Sequence, residues 1–104
     1  MRWYHYVAVF FCGAFLANSV PHFVAGISGM PFQSPFAHPP GQGLSPSLTN
    51  ALWGFVNLIV GYVLWRAGKL DLRQTRAAIV FFAGVLLMAI QLATWFGRFH
   101  GGNI

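Results

Sequence analysis

Three long apolar stretches without a single charged residue constrain the fold of this chain more than any other feature of its sequence. They cover Trp3–Val20, Leu48–Trp65 and Ala77–Gly97. At about 1.5 Å per residue, helices of this length span roughly 27 to 32 Å, which matches a bilayer hydrocarbon core of about 30 Å. The composition agrees, with 57% hydrophobic and 7% charged residues. The sequence therefore predicts an all-α membrane protein with three transmembrane helices.

The length of 104 residues is enough for one domain. We predict a single three-helix transmembrane domain over residues 1–104, with helices at about 3–20, 48–65 and 72–97 and an external loop at 21–47. A β-barrel is excluded because the runs are continuously apolar rather than alternating. In the second linker, Gly68 is expected to end the second helix, and Asp71 with Gln74 is expected to cap the third.

The segment Pro21–Thr49 carries all six prolines, four of the twelve glycines and no Asp, Glu, Lys or Arg. Prolines remove backbone donors and disfavour a continuous helix, while the apolar content of the segment argues against disorder. We therefore predict a long proline-rich loop that rests on the outer end of the bundle as a lid or docking surface. Ser47, Thr49 or Asn50 is expected to cap the helix that follows.

The basic residues predict the orientation, because Lys and Arg in short flanking segments are retained on the cytoplasmic side. Five of them fall on one side of such a bundle and only Arg98 falls on the other; the five are Arg2, Arg66, Lys69, Arg73 and Arg76. The N-terminus is then cytoplasmic, and the C-terminus and the 21–49 loop lie on the opposite side of the membrane. An alternative reading of the first span is a secretory signal peptide with a small-residue site at Ala17–Ser19, although its length favours a retained helix.

Small and polar side chains within the spans recur at helical spacing and predict helix contacts. Five small residues are predicted to pack helices together: Gly13, Ala17, Gly54, Gly61 and Gly84. Asn57 and Gln91 are expected at similar depth on antiparallel helices, where their amides can meet, with Asn18 nearer the surface. These amides either fix the register of the helices or line a shallow pocket under the loop, together with Trp53 and Trp95.

Three histidines, His22, His38 and His100, fall on the predicted outer side and are candidate ligands for a metal ion, since imidazole suits copper, zinc and haem iron. Their spacing matches no ligand motif. The lone Cys12 excludes an internal disulfide and is interpreted as an apolar packing residue.

Other classes of function are excluded by what the spans lack. They hold no ionisable carboxylate for proton coupling and none of the catalytic groups of intramembrane proteases, and no phosphate-binding or nucleophile motif is present. We predict that the protein is not an enzyme and assign no cofactor. The net charge of +5 lies at helix ends, which argues for an orientation signal and against nucleic-acid binding.

Three functions remain. The first is a structural or accessory subunit that packs against other transmembrane helices, in a homo-oligomer or a larger membrane complex. The second is a binding protein for a lipid, quinone or other small amphiphile held under the 21–49 loop. The third is extracytoplasmic metal handling through the outer histidines.

The segments His22–Phe32, Ser34–Ala37 and Asn50–Asn57 resemble a pattern in small bacterial inner-membrane proteins that have no assigned activity. The resemblance covers roughly the first sixty residues. It implies location in a bacterial inner membrane and contact with membrane lipid, and it implies no catalytic residues.

Overall fold

A computed structural model describes residues 1–102 and contains three long helices, α1 (Trp3–Ile27), α2 (Ser47–Ala67) and α3 (Thr75–His100). Each is long and apolar enough to cross a membrane, with 25, 21 and 26 residues respectively. The prediction of an all-helical protein with three candidate membrane spans is therefore confirmed. Residues 103 and 104, which end the predicted external tail, lie outside the described range.

The first helix does not end at Val20 as predicted, because it continues through Pro21 to Ile27. Proline lacks an N–H and leaves one helical hydrogen bond unmade, but such a loss is tolerated where a neighbouring helix supports the backbone. Here that neighbour is α2, since a methyl group added at Gly26 would overlap the backbone of Ala51. The proline-rich segment outside the helices is thus shorter than predicted.

That segment, residues 28–46, is called the cap. It contains two short strands, β1 (Phe32–Gln33) and β2 (Leu44–Ser45), which pair antiparallel with Phe32 opposite Ser45. The helix after it begins at Ser47 behind Pro46, and no side chain caps it. The predicted capping by Ser47, Thr49 or Asn50 is therefore wrong, because Pro46 occupies the N-cap position and has no side-chain acceptor.

Helix α1 is the centre of the fold, because it packs against both α2 and α3 while those two helices scarcely touch each other. Its contact with α3 is close at two glycines. A methyl group added at Gly13 would overlap the carbonyl oxygen of Phe81, and one added at Gly84 would overlap that of Phe10. Only glycine permits backbones to approach this closely.

Four small or polar residues form the buried face of α2, and they include the predicted packing residues Gly54 and Gly61: Asn50, Gly54, Asn57 and Gly61. Gly54 and Gly61 pack against α1, at Phe23 and Leu16 respectively. Cys12 is fully buried in the apolar cluster at the other end of the bundle, together with Val9 and Phe81.

The linker between α2 and α3 differs from the prediction at Asp71. Gly68 ends α2 as expected, but α3 begins only at Thr75, after Gln74. The Asp71 carboxylate instead accepts a hydrogen bond from the Arg73 backbone and pairs with the Arg73 guanidinium at 3.1 Å. Asp71 is therefore used in a local turn, and the capping box with Gln74 is not formed.

Candidate functional site

Asn50 joins the cap to the helices. Its side chain is fully buried, and its amide nitrogen donates to the carbonyl oxygens of Phe32, Ser45 and Pro46 at 3.0, 3.1 and 3.3 Å. These three acceptors orient the amide, so that its oxygen faces Nδ1 of His22 on α1 at 3.0 Å. One side chain on α2 thus binds both strands of the cap and the last turns of α1.

The Asn50 contact determines which nitrogen of His22 carries hydrogen. Because the amide oxygen only accepts, Nδ1 must donate, and the neutral ring then has an acceptor at Nε2. No described residue in 1–102 bonds to Nε2. The ring is 3% exposed and packs edge to face against Phe32 and Phe96, with centroids 5.6 and 5.9 Å away.

Two further bonds fasten the cap to α3. Trp95 donates from its indole nitrogen to the Gly41 carbonyl oxygen at 2.8 Å. His100 donates from Nε2 to the side-chain oxygen of Gln33 at 2.7 Å. The cap is therefore held by all three helices at their common end.

Between the cap and the helices lies a pocket of about 330 Å³, called the cap pocket. Its size lies at the lower end of the range for small-molecule sites, roughly 300 to 1,000 Å³. Its walls include Asn18, His22, Gln33, Trp53, Trp95 and Phe96. No Asp, Glu, Lys or Arg of the described chain contributes to the lining.

Several polar groups in this wall have no protein partner within residues 1–102. The indole N–H of Trp53 is buried and unbonded. The amide nitrogen of Gln33, whose side chain is 4% exposed, is also unbonded. The unbonded acceptors are Nε2 of His22 and the side-chain oxygen of Asn18. Of these four atoms only the Trp53 nitrogen is fully buried, and a buried polar group without a partner costs about 1 to 3 kcal/mol. The other three have no partner among the described residues and remain open to hydrogen bonding.

A second cavity, of about 520 Å³, runs along the outside of the bundle between α1 and α3 and is called the α1–α3 groove. Its walls are almost entirely apolar and include Ala17, Pro21, Ala89 and Leu92. Phe96 belongs to both cavities. The polar pocket and the apolar groove therefore adjoin at this side chain.

The structure brings together only part of the predicted pocket set. Asn18, Trp53 and Trp95 line the cap pocket. Asn57 is 1% exposed and is bonded to Asn18 at 3.0 Å and to the Trp53 carbonyl at 2.8 Å.

Gln91 is exposed on α3, and its expected contact with Asn57 is not made. The physical reason is that α3 packs on α1 rather than on α2.

The three outer histidines are not brought together as ligands. His22 is bonded to Asn50 and His100 to Gln33, while His38 is exposed in the cap. Among residues 1–102, no group of three or more His, Cys, Asp or Glu side chains could hold a metal ion.

Sequence reasoning missed Gln33 and Phe96 as pocket residues, and it assigned His22 to metal binding rather than to this wall. The pairing of His22 with Asn50 spans 28 positions and has no local signal. A glutamine next to Phe32 in a segment without charged residues was the available hint for Gln33. Comparison of the chain with protein-family models, curated proteins and solved structures finds no match.

Proposed function

We propose that this protein binds a small membrane amphiphile, with the ligand's polar head in the cap pocket and its apolar tail in the α1–α3 groove. The observation that carries the proposal is the cap pocket itself, whose wall holds unbonded polar groups of buried residues. Its neighbour is an apolar groove that shares Phe96. A few convergent polar groups beside a large apolar surface are typical of small-molecule sites.

The small-residue faces, which suggested an accessory subunit, contact other helices of the same chain. Gly13 and Gly84 allow α1 and α3 to approach, and Gly54 allows α2 to approach α1. These residues therefore no longer argue for an outside partner. Packing into a homo-oligomer or a larger complex stays a prediction, as does the absence of enzymatic activity.

We also propose a bacterial inner-membrane location, with the N-terminus and residues 68–74 in the cytoplasm and the cap on the periplasmic side. The distribution of Arg and Lys supports it. Introducing cysteine at exposed Gln42 or at exposed Lys69 tests it in intact cells with a membrane-impermeant maleimide. Labelling of Gln42→Cys alone is expected, with buried Cys12 as an internal negative control. Labelling of Lys69→Cys instead contradicts the orientation.

The binding proposal is tested by native mass spectrometry of protein purified from its membrane in mild detergent. Wild type is expected to retain an amphiphile, and Ala89→Phe to lose it, because Ala89 lines the groove. The matched control is Ile90→Phe on the next position of α3, which is 52% exposed and does not line the groove. A wild-type protein that carries no amphiphile, or equal retention by both variants, contradicts the proposal.

A further inference from the structure

Three unbonded groups of the lining residues are open to a ligand, one donor and two acceptors. The donor is the Gln33 amide, and the acceptors are His22 Nε2 and the Asn18 oxygen; the Trp53 indole N–H is enclosed by protein atoms. A ligand group that both gives and accepts hydrogen bonds satisfies such a wall, and a hydroxyl is the smallest group that does so. A head with carbonyl or ether oxygens alone leaves the two acceptors unbonded.

The lack of charged residues in the pocket lining restricts the class of ligand further. No ionisable group other than His22 lines the pocket within the described chain, and burying an unpaired charge costs far more than burying a hydroxyl. Arg98 contacts the lining residue Trp95 from outside the pocket, and its guanidinium lies over the Trp95 ring at 4.7 Å and near the Phe99 ring at 5.9 Å. A phosphate head therefore has no prepared partner inside the pocket.

From this balance we propose that the ligand has a neutral, hydroxylated head on an apolar tail. This inference rests on the proposed amphiphile-binding function and specifies its ligand. Two kinds of membrane molecule have this chemistry, a hydroquinone with an alkyl or prenyl tail and a diacylglycerol. The aromatic wall of Trp53, Trp95 and Phe96 favours a flat ring, since offset and edge-to-face contacts add stabilisation.

The test measures binding to the wild-type protein in phosphatidylcholine nanodiscs by quenching of tryptophan fluorescence. Four probes are compared: decylubiquinol kept reduced under anaerobic conditions, its 1,4-dimethyl ether, dioctanoylglycerol and dioctanoyl phosphatidylglycerol. Decylubiquinol is expected to bind at least about tenfold more tightly than its ether, which cannot donate to His22 or Asn18. The affinities for decylubiquinol and dioctanoylglycerol, compared with each other, show whether the protein prefers a hydroquinone or a diacylglycerol.

A variant adds a second readout. Arg98→Gln removes the guanidinium that lies over the Trp95 ring but does not line the pocket, so affinity for decylubiquinol is expected to equal that of wild type.

Equal binding of decylubiquinol and its ether overturns the inference and leaves the proposed function standing, because an amphiphile still binds. Tighter binding of phosphatidylglycerol that is lost in Arg98→Gln also overturns it, in favour of an anionic head. Failure of all four probes, with no amphiphile retained by purified protein, removes the proposed function as well. The comparison of the probes uses wild-type protein and does not depend on whether a variant folds.

Discussion

Two tryptophans line the cap pocket, and they differ in whether the indole N–H has a partner. Trp95 donates to Gly41 and so fastens the cap to α3. Trp53 is buried without an acceptor in residues 1–102. The same chemical group thus serves stability at one position and has no partner within the described residues at the other.

This difference predicts that replacing tryptophan with phenylalanine changes stability by different amounts at the two positions. Trp95→Phe leaves the Gly41 carbonyl without its donor and should lower the free energy of unfolding by about 1 to 3 kcal/mol. Trp53→Phe removes packing as well but also an unsatisfied donor, so it should lower stability less than Trp95→Phe does. Thermal unfolding of both variants in detergent measures the difference, and equal destabilisation would show that Trp53 has a structural bond.

Asn50 is the residue on which most of the cap depends. Asn50→Leu keeps the number and branching of the side-chain heavy atoms, but it removes the donor to the carbonyls of Phe32 and Ser45 and the acceptor of the His22 ring. We expect a loss of at least about 3 kcal/mol in the free energy of unfolding. Gln91→Leu, which alters an exposed amide on α3, is the control and should change it by less than about 0.5 kcal/mol. Unfolding in denaturant measures both variants.

At the scale of elements, the contact of α1 with α3 depends on paired glycines. Gly13 and Gly84 each face a carbonyl oxygen of the other helix. Because these two glycines have no Cβ, α3 can lie directly on α1. It makes few contacts with α2. The opening between α1 and α3 beyond this crossing is the α1–α3 groove.

Gly84→Ala adds one methyl group against the Phe10 carbonyl. We expect it to lower stability by about 1 to 3 kcal/mol, because overpacking displaces the helix. Ala89→Val is the control, since it adds two methyl groups at an exposed position of the same helix. Thermal unfolding that ranks Ala89→Val as the more damaging change would contradict the glycine crossing.

The linker between α2 and α3 gives a pH prediction. The Arg73 hydrogen bond lowers the pKa of the Asp71 carboxyl below its ordinary value. Because the pKa is lower in the folded state, the contact contributes at pH above the ordinary pKa and is lost as the pH falls through the lowered pKa. Arg73→Gln should raise the Asp71 pKa, which carbon NMR resolves because Asp71 is the sole acidic side chain. An unchanged titration curve would argue against the pairing.

For the whole molecule, the sequence predicts the three helices better than it predicts how they pack together. Apolar runs identify three helices because the bilayer dimension imposes their length. The extension past Pro21 and the choice of α1 as the centre depend on which small-residue faces meet, and all three helices carry such faces. Asn18, Trp53 and Trp95 could be predicted as pocket residues from their depth in the membrane. The prediction for Gln91 failed because it required α3 to pack on α2, whereas α3 packs on α1.

The polar side chains of α1 have a consequence for the order in which the helices insert into the membrane. Asn18 and His22 obtain their partners, Asn57 and Asn50, only from α2, which leaves the ribosome later. Until then α1 would carry unpaired polar groups into an apolar medium, at a cost of several kcal/mol. We therefore expect the two helices to enter the membrane together as a hairpin, with the cap closing during insertion rather than after it.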